Sequence, residues 1–280
     1  MTKNGTLSSR VSTADIGARK NKTPIVALTA YTTPMAQRLD DHVDMLLVGD
    51  SLAMVIYGMD TTVGLSLETM IAHGQAVMRG ARHSCVIIDL PAGSYEAGPE
   101  QAVQSATRVI NETGAQGIKL EGGTAIAAQI EAIVASGIPV LAHIGLLPQK
   151  VTEAGGYKIQ GRDDAGYRAI LDDAQAVADA GAFAVVIEGT VETLAREITE
   201  TLAIPTIGIG ASPACDGQIL VVDDMLGMFS DFTPKFVKRY GDIGKSVERA
   251  AGDFARDVQT RRFPDMKHVY HSGQNVKAAS

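Results

Sequence analysis

The sequence contains few of the residues that mark several large protein classes. It has no tryptophan, and only two of its 280 residues, Cys85 and Cys215, are cysteines. Two cysteines are too few for a disulfide framework, so both are interpreted as small apolar residues of a reduced intracellular protein. Cys85 opens an apolar run, and no His or Asn is placed beside Cys215 to indicate a thiol nucleophile.

Long apolar runs and clusters of positive charge are also missing. No run approaches the roughly 18 residues of a membrane helix, and the first residues, MTKNGTLSSR, lack the apolar core of a secretory signal. The formal charge is −7 and no basic stripe is present, which argues against a nucleic-acid partner. We therefore expect a cytoplasmic protein that binds neither nucleic acid nor membranes.

The chain alternates short apolar runs with amphipathic helical segments. Such alternation is typical of an α/β fold with a parallel sheet, and eight runs in a chain of this length predict a single-domain (β/α)8 TIM barrel. We expect a flexible tail over residues 1–10, the barrel over 11–264 and a polar tail over 265–280. The predicted strands lie at 25–30, 43–49, 85–90, 116–121, 138–143, 182–188, 204–209 and 218–222.

Five of these runs end on a side chain that can bind a metal or move a proton. Since the carboxyl ends of barrel strands converge on one face, the five side chains are expected to form one site. An internal similarity supports this arrangement, because GAQGIKLEG (114–122) and GAFAVVIEG (181–189) place two glutamates at corresponding strand ends. The five are Asp50, Asp89, Glu121, His143 and Glu188.

Asp50 and Asp89 end neighbouring predicted strands. Paired carboxylates form a hard oxygen site suited to Mg²⁺, although either one alone could instead accept backbone N–H groups. Lys119 and Glu121 lie two apart on one strand and therefore face the same side. An inward direction is favoured, because a Lys–Glu pair against apolar helices would be costly.

Glu188 follows the wholly apolar run 182–187. A carboxylate isolated in such surroundings has its pKa raised toward that of a useful general base, although a helix-capping role is the alternative. His143 is expected to orient other groups or to bind substrate.

The motifs as a set resemble the ketopantoate hydroxymethyltransferase family. GDS, KLEGG and GGYKxQGR together are highly specific, and the matching segments cover nearly the whole chain in order. At Thr32, Ala53, Leu147, Val191 and Ser212 the chain departs from the family pattern. The matching segments are LTAY (28–31), LLVGDSLAMV (46–55), DLPAGSY (89–95), GIKLEGG (117–123), AHIGLLPQ (142–149), GGYKIQGR (155–162), IPTIGIGAS (204–212), CDGQILV (215–221) and PKFVKRY (234–240).

The resemblance implies a barrel that binds Mg²⁺, takes 5,10-methylenetetrahydrofolate as co-substrate and forms homodecamers. It implies hydroxymethyl transfer to 3-methyl-2-oxobutanoate through a Mg²⁺-stabilised enolate, giving 2-dehydropantoate for pantothenate biosynthesis. Carried over by motif, Asp50 and Asp89 are metal ligands, and Glu121 reaches the metal through water. The ketoacid-binding groups are Asp50, Ser51, Asp89, Lys119 and His143, and the base is Glu188.

Three alternatives remain open on the sequence. The first is a Mg²⁺-dependent 2-oxo acid lyase or mutase of the phosphoenolpyruvate mutase and isocitrate lyase type, which would act without folate. The second is a Schiff-base aldolase that uses Lys119 and would survive removal of the metal. The third is a non-catalytic binding barrel, which five reactive strand ends make improbable.

Overall fold

The computed structural model describes residues 10–152, 155–229 and 233–270, which include a closed barrel of eight parallel strands. The strands pair in chain order, and β8 pairs with β1. The predicted (β/α)8 barrel is confirmed, and the predicted strand ends differ from those observed by at most two residues. The strands are β1 (Ile25–Thr29), β2 (Met45–Val48), β3 (Cys85–Asp89), β4 (Gly117–Glu121), β5 (Val140–Gly145), β6 (Ala184–Glu188), β7 (Thr206–Ile209) and β8 (Gly217–Leu220).

The helices begin where capping residues and prolines occur in the sequence. Ser66 caps the helix that begins at Leu67, accepting a hydrogen bond from the backbone N of Thr69 at 3.1 Å. Before the helix at Ala127–Ala135, the backbone N and the hydroxyl of Thr124 both donate to Asp173. The α-helices are α1 (Thr13–Gly17), α2 (Thr33–Leu39), α3 (Leu52–Val55), α4 (Leu67–Gly80), α5 (Pro99–Thr113), α6 (Ala127–Ala135), α7 (Asp164–Asp179), α8 (Glu192–Thr201), α9 (Val222–Leu226) and α10 (Ile243–Gln259), and two 3₁₀ turns span Thr124–Ile126 and Pro148–Lys150.

One connection departs from the regular strand–helix alternation. Residues 210–216, all of which are described, join β7 directly to β8 without a helix. Asp216 ends this loop and accepts hydrogen bonds from Lys20 and from the backbone N of Thr206, both at 2.9 Å. These bonds hold the start of β8 against the start of β7.

A cluster of buried apolar side chains fills the barrel interior toward the amino ends of the strands. Ile16 of α1 is fully buried and packs into this cluster, so α1 closes the amino end of the barrel. Fully burying one such side chain stabilises a fold by roughly 1.5–3 kcal/mol. The barrel residues of the cluster are Ile25, Ala27, Met45, Leu47, Cys85, Ile87, Leu141, Ala184, Val186, Ile207, Ile209 and Ile219.

The interior becomes charged toward the carboxyl ends of the strands. Alternate residues of a strand face the same side, so Ile87 and Asp89 share the inner side of β3. On β6 the inner side runs from Val186 to Glu188. The change from apolar to charged within a single strand places the polar groups at the end where barrel enzymes keep their chemistry.

The pattern of contacts divides the chain into two compact units. Among the described residues, the first unit comprises 10–152, 155–222 and 235–237, and the second comprises 223–229, 233–234 and 238–270. Residues 1–9 of the predicted amino-terminal tail and 271–280 of the predicted carboxyl-terminal tail lie outside the described residues. None of the helices within the described residues combines the length and the apolar character needed to cross a bilayer.

Candidate active site

The five side chains predicted to converge do form one buried group. The strand register places Asp89 beside Lys119 and Glu121 beside His143. Asp50 reaches the same place from the turn after β2, where its backbone N donates to Asp89 Oδ2 at 3.1 Å. The predicted inward direction of Lys119 and Glu121 is confirmed.

Lys119 is held between two carboxylates. Its Nζ lies 2.6 Å from Asp89 Oδ1 and 3.7 Å from Glu121 Oε1, and all three side chains are buried. Burial by itself lowers the pKa of Lys119, but Asp89, Glu121 and Asp50 outweigh it and raise the pKa above its ordinary value. Lys119 is therefore a fixed positive charge at neutral pH.

His143 lies between two glutamates. Its Nδ1 is 3.3 Å from Glu121 Oε1, and its Nε2 is 3.3 Å from Glu188 Oε2, although neither contact has hydrogen-bond geometry. Burial and Lys119 lower the pKa of His143, but Glu121 and Glu188 outweigh them and raise it to about 9. His143 is therefore cationic at neutral pH and links the glutamates that the internal similarity predicted as counterparts.

Glu188 is not the isolated carboxylate that the sequence predicted. The apolar run 182–187 alternates sides on β6, so the neighbours of Glu188 in the barrel come from other strands. Its side chain is 18% exposed and pairs with His143. Partial exposure leaves room for a small substrate to approach this carboxylate.

The backbone beside Glu188 requires a glycine. Gly145 has φ of +93°, and a Cβ added there would lie 2.3 Å from the carbonyl oxygen of Glu188. The close approach seats the end of β5 against the end of β6. It fixes the backbone from which the Glu188 side chain projects.

Three polar residues missed by the sequence reasoning complete the site. Tyr31 hydroxyl lies 2.8 Å from Ser51 Oγ, which places the predicted ketoacid-binding Ser51 beside a second hydroxyl. Gln149 donates from Nε2 to Asp50 Oδ2 at 2.9 Å, and Tyr95 hydroxyl donates to Gln149 Oε1 at 2.6 Å. The spacing of the strand ends could not reveal them, since all three lie outside the strands.

The donor set fits a divalent cation. Four carboxylates face two cationic groups, Lys119 and His143, so two negative charges are in excess when all are ionised. Glu121 Oε1 is buried without a hydrogen-bond partner among the described residues. Burial, together with Asp89 and Glu121, raises the pKa of Asp50 well above its ordinary value. An oxygen-ligated cation such as Mg²⁺ would offset this charge and favour the ionised form of Asp50.

A second acidic group lies before β3 and has a different role. Asp40, Asp41 and His83 are close enough to suggest a metal site. The oxygens of Asp40, however, accept hydrogen bonds from the backbone N of Arg82 at 2.6 Å and of Ser84 at 2.9 Å. Asp40 therefore fixes the turn that leads into β3.

Replacing Asp40 is expected to lower stability without affecting metal binding. Burial raises its pKa, but the backbone donors outweigh burial and lower it. This stabilisation is therefore present above the unfolded-chain pKa of about 3.9 and is lost as pH falls through the lower folded value. Asp40→Ala should cost about 1–3 kcal/mol in urea unfolding at pH 7 and less at pH 3. An equal cost at both pH values would contradict this role.

The chain matches the family model of ketopantoate hydroxymethyltransferase over residues 10–266. Similar curated proteins are named 3-methyl-2-oxobutanoate hydroxymethyltransferase. The protein of Sinorhizobium fredii is 57% identical over 265 residues, which cover 95% of this chain and 97% of that protein. The protein of Agrobacterium fabrum is 58% identical over 261 residues, which cover 93% of this chain and 94% of that protein.

Solved structures with lower identity share the fold. A 2,3-dimethylmalate lyase, described as a member of the PEP mutase/isocitrate lyase superfamily, gives a TM-score of 0.61 at 18% identity, over 93% of this chain and 89% of that one. A phosphonopyruvate hydrolase complex with oxalate and Mg²⁺ gives 0.59 at 14% identity, over 91% and 92%. Sequence identity this low shows the fold alone. The family match and the close relatives go further, and the chain belongs to the ketopantoate hydroxymethyltransferase family.

Proposed function

We propose that this enzyme transfers a hydroxymethyl group from 5,10-methylenetetrahydrofolate to 3-methyl-2-oxobutanoate, giving 2-dehydropantoate for pantothenate biosynthesis. Overall, C3 of the ketoacid exchanges its proton for the hydroxymethyl group, and one water is consumed as tetrahydrofolate leaves. The observation that carries the proposal is the buried group of four carboxylates and two cations at the strand ends of this family's barrel. The folate co-substrate rests on membership of the family.

Asp50 and Asp89 would hold Mg²⁺, and Glu121 would reach the ion through water. Bound Mg²⁺ would polarise the keto oxygen and stabilise the negative charge that develops when C3 loses its proton. Lys119 Nζ also donates to Asp89 Oδ1 at 2.6 Å, so Asp89 would set the positions of both Mg²⁺ and the Lys119 ammonium group.

The remaining residues bind the ketoacid and move its proton. Glu188 would accept the C3 proton, because it is the carboxylate of the group with the most exposed side chain. His143, with Nε2 at 3.3 Å from Glu188 Oε2, would orient the Glu188 carboxylate. Lys119 would place positive charge where the carboxylate and the developing enolate carry negative charge. Ser51, beside Tyr31, would donate a hydrogen bond to the ketoacid.

Lys119 is expected to act by charge and to form no imine. An imine requires a neutral amine, and the carboxylates around Lys119 raise its pKa and hold it protonated. Borohydride added with 3-methyl-2-oxobutanoate should leave the enzyme active and its mass unchanged. A stable adduct on Lys119, found by peptide mass spectrometry, would instead indicate a Schiff-base aldolase.

A Mg²⁺-dependent lyase or mutase on the same barrel is the main alternative function. The shared fold is compatible with it, but the family match favours hydroxymethyl transfer. Folate dependence separates the two. Loss of the ketoacid should require both 5,10-methylenetetrahydrofolate and Mg²⁺, and tetrahydrofolate and 2-dehydropantoate should form in equal amounts. Turnover of a 2-oxo acid that proceeds unchanged without folate would favour the alternative.

We also propose a homo-oligomer, with ten copies on the family resemblance. Helix α10 contains no buried residue, and its apolar side chains recur at helical spacing and are exposed in the single chain. Another copy would cover them. Sedimentation velocity should show a large assembly, and a concentration-independent monomer of 29.4 kDa would contradict it. The exposed apolar residues of α10 are Ile243, Val247, Phe254 and Val258.

The enzyme is proposed to work in the cytoplasm. Cys85 and Cys215 are both free and buried, as expected of a protein from a reducing compartment. The 2-oxo acid and the folate are its small-molecule partners.

A further inference from the structure

Gln149 forms several hydrogen bonds within the group of charged side chains at the strand ends, a role that the sequence motifs did not indicate. It lies in the 3₁₀ turn after β5 and is buried. Its Nε2 donates to Asp50 Oδ2 at 2.9 Å and to the Leu90 carbonyl at 3.0 Å. Its backbone N donates to Glu121 Oε2 at 3.0 Å, and its Oε1 accepts from Tyr95 at 2.6 Å. One residue therefore joins two carboxylates that come from different strands.

The orientation of the Gln149 amide is determined by its neighbours. The Leu90 carbonyl can only accept a hydrogen bond, so the NH₂ end must face it. The Tyr95 hydroxyl then donates to the oxygen end and can accept from the backbone N of Glu121 at 3.3 Å. Asp50 consequently meets a donor, which is the partner that an ionised carboxylate requires.

Gln149 holds one oxygen of each carboxylate by a hydrogen bond, and the other oxygen of Glu121 lies in ion-pair contact with Lys119 and His143. Among the described residues, Oδ2 is the side-chain oxygen of Asp50 that accepts a hydrogen bond. Oε2 of Glu121 is held by Gln149, whereas Oε1 of Glu121 has no hydrogen-bond partner in that set.

We propose that Gln149 is a positioning residue that fixes two members of the cation site before the ion binds: the ligand Asp50 and Glu121, which would reach the ion through water. The inference rests on the proposed function, since that function supplies the cation. Ligands that are already oriented bind a metal more tightly, because little order must be gained on binding. Gln149 itself carries no charge and acts through the carboxylates.

A purely structural role would predict a different pattern. If Gln149 only attached its turn to the barrel, replacing it would lower the unfolding free energy and leave the metal affinity of the folded protein unchanged. Gln116 offers a matched control, since its Oε1 accepts from the backbone N of Val86 at 2.6 Å before β4. The same substitution at the two positions separates the two roles.

The test is calorimetric titration of the metal-free, full-length protein with Mg²⁺. Gln149→Met keeps side-chain length but removes the donor to Asp50 and the acceptor for Tyr95. Its Kd for Mg²⁺ should rise by roughly 10–100-fold, the usual cost of losing a group that orients a ligand. Turnover should return toward the wild-type value as Mg²⁺ is raised. Gln116→Met should lower the melting temperature and leave the Kd unchanged.

Two results would overturn the inference. One is an unchanged Kd in Gln149→Met, and the other is a loss of turnover that saturating Mg²⁺ does not restore. If Gln149→Met fails to fold, Tyr95→Phe takes its place. The Kd of Tyr95→Phe for Mg²⁺ should rise by a smaller factor than that of Gln149→Met. An unchanged Kd in Tyr95→Phe also overturns the inference. If the wild-type protein binds no Mg²⁺, the metal site of the proposed function is itself contradicted. If the wild type binds Mg²⁺ and the variants show an unchanged Kd, only the role of Gln149 is contradicted.

Discussion

Glu188→Gln should lose both turnover and the ability to exchange the C3 proton of 3-methyl-2-oxobutanoate with deuterated water. Glutamine keeps the size and the hydrogen-bonding capacity of the side chain but cannot accept the proton. Loss of a general base typically costs roughly 10²–10⁴-fold in rate. Exchange needs no folate, so it isolates proton removal from the later carbon–carbon bond formation.

The variant should still bind the ketoacid, because Asp50, Asp89 and Lys119 are unchanged. Glu197→Gln provides a matched control: Glu197 lies on α8 and accepts from Tyr167 at 2.6 Å on the surface, so its replacement should leave exchange intact. Exchange at the wild-type rate in Glu188→Gln would show that another group is the base. Glu121 would then be the next candidate, since it contacts the opposite side of His143 at 3.3 Å.

Asp89→Asn should bind Mg²⁺ weakly and lose turnover by about a thousandfold. The change removes one of two charged oxygen ligands, and the several kcal/mol that a metal contributes to such a reaction correspond to about three powers of ten. Asparagine is preferable to alanine, because Asp89 also neutralises buried Lys119 at 2.6 Å. Removing the closest partner of a buried charge costs about 3–5 kcal/mol.

Asp216→Asn is the matched control for this prediction. The side chain of Asp216 is also buried and also pairs with a lysine, Lys20, at 2.9 Å, but it lies before β8, away from the carboxyl ends of the strands. Its replacement should lower stability and leave the affinity for Mg²⁺ unchanged. Equal Mg²⁺ affinity in Asp89→Asn and the wild type would remove Asp89 from the metal site.

The framework of the site could be predicted from the sequence, because it follows from strand periodicity. A carboxylate or imidazole that ends an apolar run lies at the carboxyl end of its strand, and all such ends meet in a barrel. The i, i+2 spacing placed Lys119 and Glu121 on the same side, and the structure pairs them at 3.7 Å. Only local geometry was needed for these conclusions.

The links between strands could not be predicted, because they depend on side-chain position across the barrel. His143 separates Glu121 from Glu188, which is why Glu188 is paired and not isolated. Gln149 lies 99 residues from Asp50 along the chain, and no periodic pattern connects a 3₁₀ turn to a strand end. Contacts of this kind form only when distant parts of the chain meet in the folded protein.

The most direct test of the central claim is transfer of a labelled carbon by the wild-type enzyme. 5,10-Methylenetetrahydrofolate labelled with ¹³C at the methylene carbon is incubated with 3-methyl-2-oxobutanoate, with Mg²⁺ or with EDTA, and the products are followed by NMR. The account predicts that the label appears in the hydroxymethyl group of 2-dehydropantoate only when Mg²⁺ is present. Absence of label from that carbon, or equal transfer in EDTA, would contradict it.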